Sequence, residues 1–210
     1  MKVETEELTI HFSGKTCIHA RKCVLGLPGV FDPDAKPWID PDGADTAAII
    51  DVIEACPSGA LTYERTSGPA EAPPVTNTAR LWEKGPVELR GDLRINGAPR
   101  NRALLCRCGQ TTNPPFCNNN HRGGFDATGL PDFREDKDTG LNAPGGTLEV
   151  TVFEDGPVQL KGNVEIIGSD GHRIARMERA VLCRCGASSD KPFCDGSHKK
   201  LGFTKGSGAD

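Results

Sequence analysis

A cysteine and histidine pattern that occurs twice constrains this 210-residue chain more than any other feature. The copies read CRCGQTTNPPFCNNNH, starting at Cys106, and CRCGASSDKPFCDGSH, starting at Cys183. Both have the spacing C-x-C-x8-C-x3-H. Three thiolates and one imidazole in so short a segment can enclose one metal centre, either a tetrahedral Zn²⁺ ion or a two-iron, two-sulfide cluster. The predicted ligands are Cys106, Cys108, Cys117, His121, Cys183, Cys185, Cys194 and His198.

The short C-x-C spacing bears on the choice between zinc and iron. Structural zinc sites usually place roughly two to four residues between paired cysteines. A single intervening residue brings both thiolates to one side of the loop, where one iron can bind them. The more distant cysteine and histidine can then bind a second iron. The spacing therefore favours an iron–sulfur cluster and leaves a zinc-bound structural module as an alternative.

Composition is in keeping with a metal-stabilised chain. The nine cysteines are odd in number, and the start MKVETEELTIHFSG has neither a signal-peptide core nor a transit-peptide composition. Reduced thiols that bind metal are therefore expected, not disulfides. A hydrophobic share of 36%, with 25 Gly and 16 Pro, predicts small, loop-rich units. A net charge of −4 without a basic stripe argues against nucleic acid, and no apolar run approaches the roughly 20 residues of a membrane span. A soluble cytoplasmic protein is expected.

Three further cysteines precede the repeated pattern. Cys17 and Cys23 lie in CIHARKC, and Cys56 is followed by proline in CPSGAL. Bacterial ferredoxins use a C-x2-C-x2-C run and a remote Cys-Pro, but the middle position of the run is Ala20 here. Three cysteines suit a [3Fe-4S] cluster, whereas His19 as a fourth ligand would give [4Fe-4S]. Three reduced thiols without metal are the remaining alternative.

The chain around the two motifs is itself repeated. GPVELRGDLRI (85–95) matches GPVQLKGNVEI (156–166), and ALLCRCG (103–109) matches AVLCRCG (180–186). Apolar residues alternate along the first match, which predicts short strands. The expected unit is a β pair followed by a cysteine-rich loop. The later copy has six extra residues around GSDGHRIARMER, and they are predicted to form a longer loop between the strands.

The N-terminal part is predicted to be a separate unit. ELTIHF (7–12) is expected to form a strand, and ADTAAIIDVIEAC (44–56) a helix that begins at the N-cap Asp45 and ends at the Cys-Pro sequence. The stretch ERTSGPAEAPPVTNTA is typical of a linker. The predicted organisation is a first domain over 1–64, a linker over 65–79 and two motif units over 80–130 and 131–210. The two motif units are predicted to pack together as one domain over 80–210.

The later motif resembles the CDGSH iron–sulfur domain family, the NEET proteins, whose signature is C-x-C-x2-[ST]-x3-P-x-C-D-G-[STA]-H. Ser188 and Pro192 stand at the expected places before CDGSH. The earlier copy keeps Thr111 and Pro115 but has three asparagines in place of D-G-S. The resemblance covers roughly residues 80–205. It implies one [2Fe-2S] cluster per motif, held by three cysteines and one histidine.

The resemblance also implies a fold. Family members with one motif are similar to homodimers with two clusters, so two motifs in one chain imply an intrachain pseudo-dimer and a monomer. The N-terminal part, from CIHARKC through VFD and PWI to CPSGAL, resembles divergent single-cluster ferredoxin domains of the 4Fe-4S type. The expected fold class is α+β: small cluster-stabilised domains, with a ferredoxin-like unit followed by a NEET-type pseudo-dimer of β strands and short cluster-binding loop-helices. The implied cofactors are two [2Fe-2S] clusters and one [3Fe-4S] or [4Fe-4S] cluster.

Local expectations follow for the loop that carries each histidine. Asp195 is predicted to N-cap a helix with His198 in its first turn, near the positive end of the helix dipole. Asn118 can cap in the same way, and Asn119 tolerates a left-handed turn. The first site is therefore expected to be built, and a degenerate, empty site is the alternative. The arginine of each CRC sequence either places positive charge near the cluster or is an ordinary surface residue.

No nucleophile–base pair, phosphate loop or dinucleotide fingerprint occurs in the sequence, which favours a carrier over an enzyme. Three clusters predict one-electron transfer to a redox partner protein. The alternative is storage or transfer of clusters to an apo-acceptor, or redox and pH sensing, with His121 and His198 as the labile ligands. No nucleic acid or membrane partner is expected.

Overall fold

The computed structural model describes residues 1–132 and 137–208, and the chain divides into two compact units, Met1–Ala72 and Pro73–Asp210. Each unit mixes strands with a few short helices, as expected for small cluster-binding domains. The remaining residues, all in the predicted motif unit 131–210, lie outside the described part. None of the helices in the described ranges is long and apolar enough to cross a bilayer.

The first unit contains a three-stranded antiparallel sheet in which the second strand is central. Its strands are β1 (Lys2–Glu4), β2 (Leu8–Phe12) and β3 (Leu61–Arg65). β2 is the strand predicted from ELTIHF, and this prediction is confirmed. Its Leu8 and Ile10 are fully buried, whereas the residues that alternate with them are partly exposed. One face of the sheet therefore lies on the core.

Short helices complete the first unit. They are α1 (Lys22–Gly26), a 3₁₀ turn (Pro41–Gly43) and α2 (Thr46–Glu54). The predicted N-cap of α2 is confirmed, because the Asp45 carboxylate accepts a hydrogen bond of 2.8 Å from the backbone N–H of Ala48. Three isoleucines of α2 are buried in the core that it shares with the sheet. The helix ends just before Cys56, so its C-terminus positions that thiol.

The second unit is a six-stranded sheet in which the two repeats share strands. Its strands are β4 (Thr78–Leu81), β5 (Val87–Ile95), β6 (Ala98–Leu105), β7 (Thr147–Val152), β8 (Val158–Ile167) and β9 (Arg173–Leu182). β4 pairs antiparallel with β5 of its own repeat and parallel with β8 of the other. β7 pairs antiparallel with β8 of its own repeat and parallel with β5 of the other. These four strands close into a ring, and β6 and β9 extend it as hairpin partners of β5 and β8.

Apolar side chains from both repeats form a single core in this unit. Burial alternates along the strands, as the sequence predicts: β7 buries Leu148, Val150 and Val152 and exposes the residues between them. The β5–β6 and β8–β9 hairpins lead directly into Cys106 and Cys183. The predicted β pair followed by a cysteine-rich loop is therefore present in both copies.

The six extra residues of the second repeat form a loop only in part. β5 and β6 are joined by the two-residue turn 96–97, whereas β8 and β9 are joined by residues 168–172. The rest of the insertion lengthens the strands, since β8 and β9 have 10 residues each, against 9 in β5 and 8 in β6. The predicted long loop is wrong in this respect, because part of the insertion joins the hairpin ladder.

A buried polar side chain, Asn77, joins three parts of the second unit, although it lies in the stretch predicted to be a linker. Its amide nitrogen donates to the carbonyl oxygens of Gly146 and Asn163 at 2.8 and 2.9 Å, and its amide oxygen accepts from the N–H of Asp92 at 3.1 Å. Gly91 leaves room for this amide, since a Cβ there would lie 2.1 Å from the Asn77 oxygen. Asn77 is 1% exposed. The stretch predicted to be a linker from its polar composition therefore contains a residue, Asn77, that stabilises the second unit.

Replacing Asn77 by alanine is expected to lower the free energy of unfolding by about 1–3 kcal/mol, because two carbonyls and one N–H would lose their partner. Urea unfolding followed by circular dichroism measures the loss. Asn142→Ala is the control: this asparagine is exposed and donates to the exposed carboxylate of Glu178, so its replacement should cost less than about 0.5 kcal/mol. Equal losses in the two variants would contradict the role assigned to Asn77.

Candidate metal centres

Each motif begins where the second strand of a hairpin ends. The C-x-C sequence follows β6 in the first repeat and β9 in the second. The sulfur atoms of Cys106 and Cys108 lie 3.6 Å apart, and those of Cys183 and Cys185 lie 3.7 Å apart. The hairpin thus presents two thiols side by side, as the C-x-C spacing predicts.

The third cysteine of each motif is tied to the first by backbone hydrogen bonds. In the first motif the N–H of Cys117 donates to the carbonyl of Leu104, and the N–H of Cys106 donates to that of Pro115, both at 2.8 Å. The equivalent bonds of the second motif, also 2.8 Å long, join Cys194 to Val181 and Cys183 to Pro192. A short antiparallel closure therefore brings the two ends of the eight-residue loop together.

The histidine of each motif lies next to the third cysteine. Nδ1 of His121 is 3.4 Å from the sulfur of Cys117, and Nδ1 of His198 is 3.4 Å from the sulfur of Cys194. The eight side chains predicted from the motifs thus occur as four pairs. The choice of Nδ1 over Nε2 is a feature that the spacing alone does not specify.

These distances fit two donors on one metal ion. Two thiolates at about 2.3 Å from a tetrahedral ion lie about 3.8 Å apart, and a thiolate and an imidazole nitrogen lie about 3.6 Å apart. The observed separations are 3.6 and 3.7 Å for the sulfur pairs and 3.4 Å for the sulfur–nitrogen pairs. Within residues 1–132 and 137–208, no three or more His, Cys, Asp or Glu side chains form a group suited to a single metal ion. Thiolate and imidazole donors are those that iron–sulfur clusters use.

Backbone N–H groups and burial act in opposite directions on the thiols. The N–H groups of Gln110, Asn119 and Gly196 each donate to a motif sulfur at 3.4 Å, which favours the thiolate. Burial raises the pKa of Cys117 to about 11, and it also raises the pKa of Cys183. Metal binding must therefore displace protons from these thiols at neutral pH.

In the Cys106–Cys108 pair, the hydrogen bond between the two sulfurs lowers the pKa of Cys106 and raises that of Cys108. Burial lowers the pKa of His121, and the positive charges of Arg122 and Arg107 lower it further. The imidazole is therefore neutral near pH 7. A neutral ring has a lone pair that a metal can bind.

The helix at the end of the second motif begins one residue later than predicted. α3 (Ser197–Leu201) has Gly196 as its N-cap, with a φ of 87°, so the prediction that Asp195 is the N-cap is wrong. The left-handed backbone at this glycine separates the aspartate from the helix. The Asp195 carboxylate instead accepts hydrogen bonds from the N–H of Ser197 at 2.9 Å and from the N–H and hydroxyl of Ser189 at 2.9 and 2.8 Å. These bonds hold the pKa of Asp195 well below its usual range, so it is charged at neutral pH.

The first motif forms a similar loop from asparagines. Asn119 has a φ of 70°, which confirms the left-handed turn expected there, and a 3₁₀ turn follows at Asn120–Gly123. The Asn118 side chain donates to the hydroxyl of Thr112 at 2.7 Å and accepts from the N–H of Asn120 at 3.3 Å. The loop is therefore closed by neutral groups, without the carboxylate of the second motif.

The main contacts of Arg107 and Arg184, the arginines of the two CRC motifs, were not predicted from the amino-acid sequence. Arg107 and Arg184 are both 2% exposed, so the interpretation as ordinary surface residues is wrong. Their side chains donate to carbonyls of the turn before β5 or β8 and of the segment after the motif. The acceptors are Trp82, Gly85, Ala127 and Thr128 for the first, and Phe153, Gly156, Lys205 and Gly206 for the second. The guanidinium groups also lie over Phe125 and Phe203, at 5.4 and 5.2 Å from the ring centroids. The sequence feature that points to a structural role for these two arginines is that they occupy the same position in both copies of the motif.

The two motifs meet backbone to backbone at the glycine of each CRCG sequence. Gly109 and Gly186 have left-handed φ values of 76° and 81°. A Cβ on Gly109 would lie 2.7 Å from the carbonyl oxygen of Cys185, and one on Gly186 would lie 2.7 Å from that of Cys108. The contact is reciprocal, so each motif restricts the position of a cysteine in the other.

The three N-terminal cysteines line one cavity of about 640 Å³ in the first unit. Cys17 precedes α1, Cys23 lies within it, and Cys56 follows α2. Burial raises the pKa of Cys17 and Cys23, and the negative charge of Cys56 raises both further. The three sulfurs therefore lie within electrostatic reach of one another, at the site where the sequence predicts a cluster.

The segment between Cys17 and Cys23 has an unusual backbone. His19 and Arg21 have φ values of 52° and 59°, a region that residues other than glycine rarely adopt. The backbone N–H of His19 donates to the sulfur of Cys17 at 3.4 Å, while its side chain is exposed at the cavity. Such strained backbone is often found at binding sites. The loop thus supports the cysteine site through its main chain.

Comparisons with known proteins divide the chain in the same way as the two kinds of cysteine site. Residues 3–66 match the family described as divergent 4Fe-4S mono-cluster, and residues 84–122 and 155–199 match the family described as iron-binding zinc finger CDGSH type. Two proteins named uncharacterized protein YjdI, from Escherichia coli strain K12 and Escherichia coli O157:H7, are each 43% identical to this chain over 58 residues. That match covers 28% of this chain and 76% of each relative, and it lies in the N-terminal part. The family matches include all the cysteines and histidines predicted to be ligands.

Gly109→Ala is expected to lower the free energy of unfolding by about 2 kcal/mol or more, because left-handed strain adds to the overlap of its Cβ with the backbone of Cys185. Urea unfolding of the protein stripped of metal measures the loss. Gly186→Ala should behave alike, since its contact with Cys108 is the same.

Gly171→Ala is the matched control for these variants. Gly171 also has a left-handed φ, of 89°, but nothing lies within 4 Å of its Cβ position. Only the backbone strain then remains, which costs about 1 kcal/mol. If Gly171→Ala and Gly109→Ala lose the same stability, the contact between the two motifs does not contribute.

Proposed function

Because this chain belongs to the CDGSH iron-binding family and carries an N-terminal divergent 4Fe-4S mono-cluster domain related to YjdI, we propose that it transfers electrons through three iron–sulfur clusters. Each motif would hold one [2Fe-2S] cluster, and the N-terminal cysteines one [3Fe-4S] or [4Fe-4S] cluster. The observation that carries the proposal is the arrangement of sulfur and nitrogen donors in pairs, 3.4 to 3.7 Å apart, in both motifs.

The pairs suit a [2Fe-2S] cluster because each of its irons takes two protein ligands. We assign the C-x-C cysteines to one iron and the third cysteine with the histidine to the other. The ligand sets are Cys106, Cys108, Cys117 and His121 in the first motif, and Cys183, Cys185, Cys194 and His198 in the second. When bound, such a cluster accepts and releases one electron, and a neutral imidazole in place of a thiolate makes reduction easier.

The residues around each motif would shield one side of a bound cluster from water and leave its other side accessible to a redox partner. The C-x-C cysteines are buried, whereas His121 and His198 are partly exposed. The buried thiolates would be shielded from water and from competing ligands. The histidine edge would face solvent, which gives a redox partner its closest approach. The backbone N–H groups that donate to the sulfurs would stabilise their negative charge.

We also propose that the second unit corresponds to a dimer within one chain. The support is the reciprocal strand pairing, in which β4 and β7 each bridge the long strands of both repeats. The reciprocal contact of Gly109 and Gly186 adds to it. A second copy of the chain is then not needed to complete either site, and the protein is expected to be monomeric.

For the N-terminal site we propose a [3Fe-4S] cluster held by Cys17, Cys23 and Cys56. These cysteines line one cavity, and Ala20, which also lines it, has no side chain that can bind a fourth iron. The alternative is a [4Fe-4S] cluster with His19 as the fourth ligand. The description of the matching family, 4Fe-4S mono-cluster, supports that alternative.

Cluster transfer to an apo-acceptor is the second candidate function. The observation that favours it is the partial exposure of His121 and His198. A neutral ligand at the solvent edge is the one that a thiol of an acceptor protein can replace most readily. Storage and redox sensing would use the same edge.

Iron and sulfide analysis of anaerobically purified protein tests the proposal. The protein is expected to be red-brown and to contain about seven irons per chain, or about eight with a [4Fe-4S] cluster. Cys117→Ser and Cys194→Ser should each remove about two irons, and the oxidised protein should show the paramagnetic signal of [3Fe-4S]. Colourless protein that binds zinc would contradict the proposal.

The two candidate functions differ in what happens to the iron. Repeated reduction and oxidation with full retention of iron is expected for an electron carrier. Mixing the loaded protein with an apo-ferredoxin checks the alternative: loss of iron to the acceptor at a rate that exceeds spontaneous loss would favour cluster transfer.

The charge of Asp195 is expected to separate the reduction potentials of the two motifs. Asp195→Asn should raise the potential of the second site, because removing a negative charge favours uptake of an electron, by an amount on the order of tens of millivolts. Asn118→Asp is the matched variant and should lower the potential of the first site. Redox titration monitored by visible absorbance measures both. Shifts of the same sign in the two variants would contradict this role of the charge.

A further inference from the structure

We propose that the mouth of the N-terminal cysteine cavity is a docking surface for an acidic redox protein. The inference rests on the proposed function, since it assigns a partner class to the cluster site of Cys17, Cys23 and Cys56. It follows from two features of the cavity that the ligand set does not explain, namely its cationic rim and its apolar wall.

Positive charge is concentrated at this cavity. Residues 1–65 contain six Lys and Arg against eleven Asp and Glu, so the region is acidic as a whole. Three of the six cations, Arg21, Lys22 and Lys36, nevertheless line the cavity, and all three are exposed to solvent. Residues that both line a cavity and reach solvent lie at its mouth. The mouth therefore has the opposite charge to the unit that contains it.

Negative charge is concentrated in a different groove of the same unit. That groove is lined by Arg65 and by the carboxylates of Glu6, Glu7, Asp42, Asp45 and Asp51. The loop before Lys36 also contains Asp32 and Asp34, but neither of these residues lines the cavity. The charges of the first unit are thus segregated, which orients an approaching charged protein.

The wall of the cavity is apolar and partly aromatic. Met1, Val24 and Trp38 line it, and the ring of Trp38 packs edge-on against Phe12 at 4.8 Å between centroids. Leu25, next to Val24 in α1, is 70% exposed. Interfaces between proteins combine an apolar or aromatic centre with a polar rim, and aromatic residues there contribute much of the binding energy.

The combination favours a protein over a small anion. A cationic site for a small anion would surround it with polar donors, whereas here the cations lie at the edge of an apolar surface. A partner with carboxylates around its own redox centre would match the rim by charge and the wall by shape. Charge complementarity of this kind raises the association rate more than the affinity. The expected signature is therefore a rate that falls as salt is added.

Reduced flavodoxin, an acidic one-electron donor, serves as the probe. It loses one electron, which the N-terminal centre takes up, and freeze-quench EPR follows the N-terminal signal in the full-length protein at several ionic strengths. Lys22→Glu with Lys36→Glu is expected to slow the reaction about tenfold or more at low salt and to abolish its salt dependence.

Lys2→Glu with Arg65→Glu is the matched control, because it changes the net charge equally and neither residue lines the cavity. Its effect should be less than about twofold. Lys36→Glu alone serves if the double variant holds less iron, since Lys36 is distant in sequence from all three cysteines. Oxidised cytochrome c, a basic protein, is the partner of opposite charge. It takes one electron from the reduced N-terminal centre, and this reaction should be faster with the cavity variant than with the control.

Equal slowing by the two charge pairs would overturn the docking surface, as would inhibition by inorganic phosphate at constant ionic strength, which would indicate a small-anion site. Wild-type protein without an N-terminal iron signal would instead refute the proposed function. The two failures are therefore distinguishable.

Discussion

Each motif depends on the antiparallel closure that joins its first and third cysteines. Two backbone hydrogen bonds of 2.8 Å, between Cys106 and Pro115 and between Cys117 and Leu104, continue the hairpin ladder into the loop. This pairing anchors the loop at both ends, so the first and third cysteines are set in place by the main chain. The side-chain hydroxyl of Thr111 reinforces it by donating to the carbonyl of Phe116 at 2.7 Å. Metal ligands held in this way lose little conformational entropy when a metal binds.

The two motifs are physically parts of one unit. Arg107 and Arg184 connect each C-x-C loop to the turn before its own hairpin and to the segment after its own motif. The contacts of Gly109 with Cys185 and of Gly186 with Cys108 then join one loop to the other. A substitution in either loop should therefore be felt in both. The shared ring of strands has the same consequence, because each repeat supplies a strand to the sheet of the other.

Symmetry in the backbone is combined with asymmetry in charge. The second motif contains the carboxylate of Asp195, held ionised by serine donors, where the first has the neutral Asn118. The N-terminal unit adds a third environment, a cavity with a cationic mouth in an acidic unit. In the proposed electron carrier, three distinct electrostatic environments would allow electrons to be accepted from one partner and delivered to another. The same differences would also give three sites distinct stabilities as cluster stores.

Much of this protein was determined by local sequence. The spacing C-x-C-x8-C-x3-H pairs donors within a few residues of one another, and the alternation in ELTIHF marks β2. Asp45 caps α2 by accepting a hydrogen bond from the backbone N–H of Ala48, three residues later. The tertiary structure alone decided the burial of Arg107 and Arg184, the anchoring by Asn77 and the contact between Gly109 and Cys185. Those features join residues far apart in the chain. The start of α3 also differs from the prediction by one residue, because Gly196 has a left-handed backbone. Periodicity and spacing depend only on residues that are close in the sequence, whereas long-range packing depends on the tertiary structure.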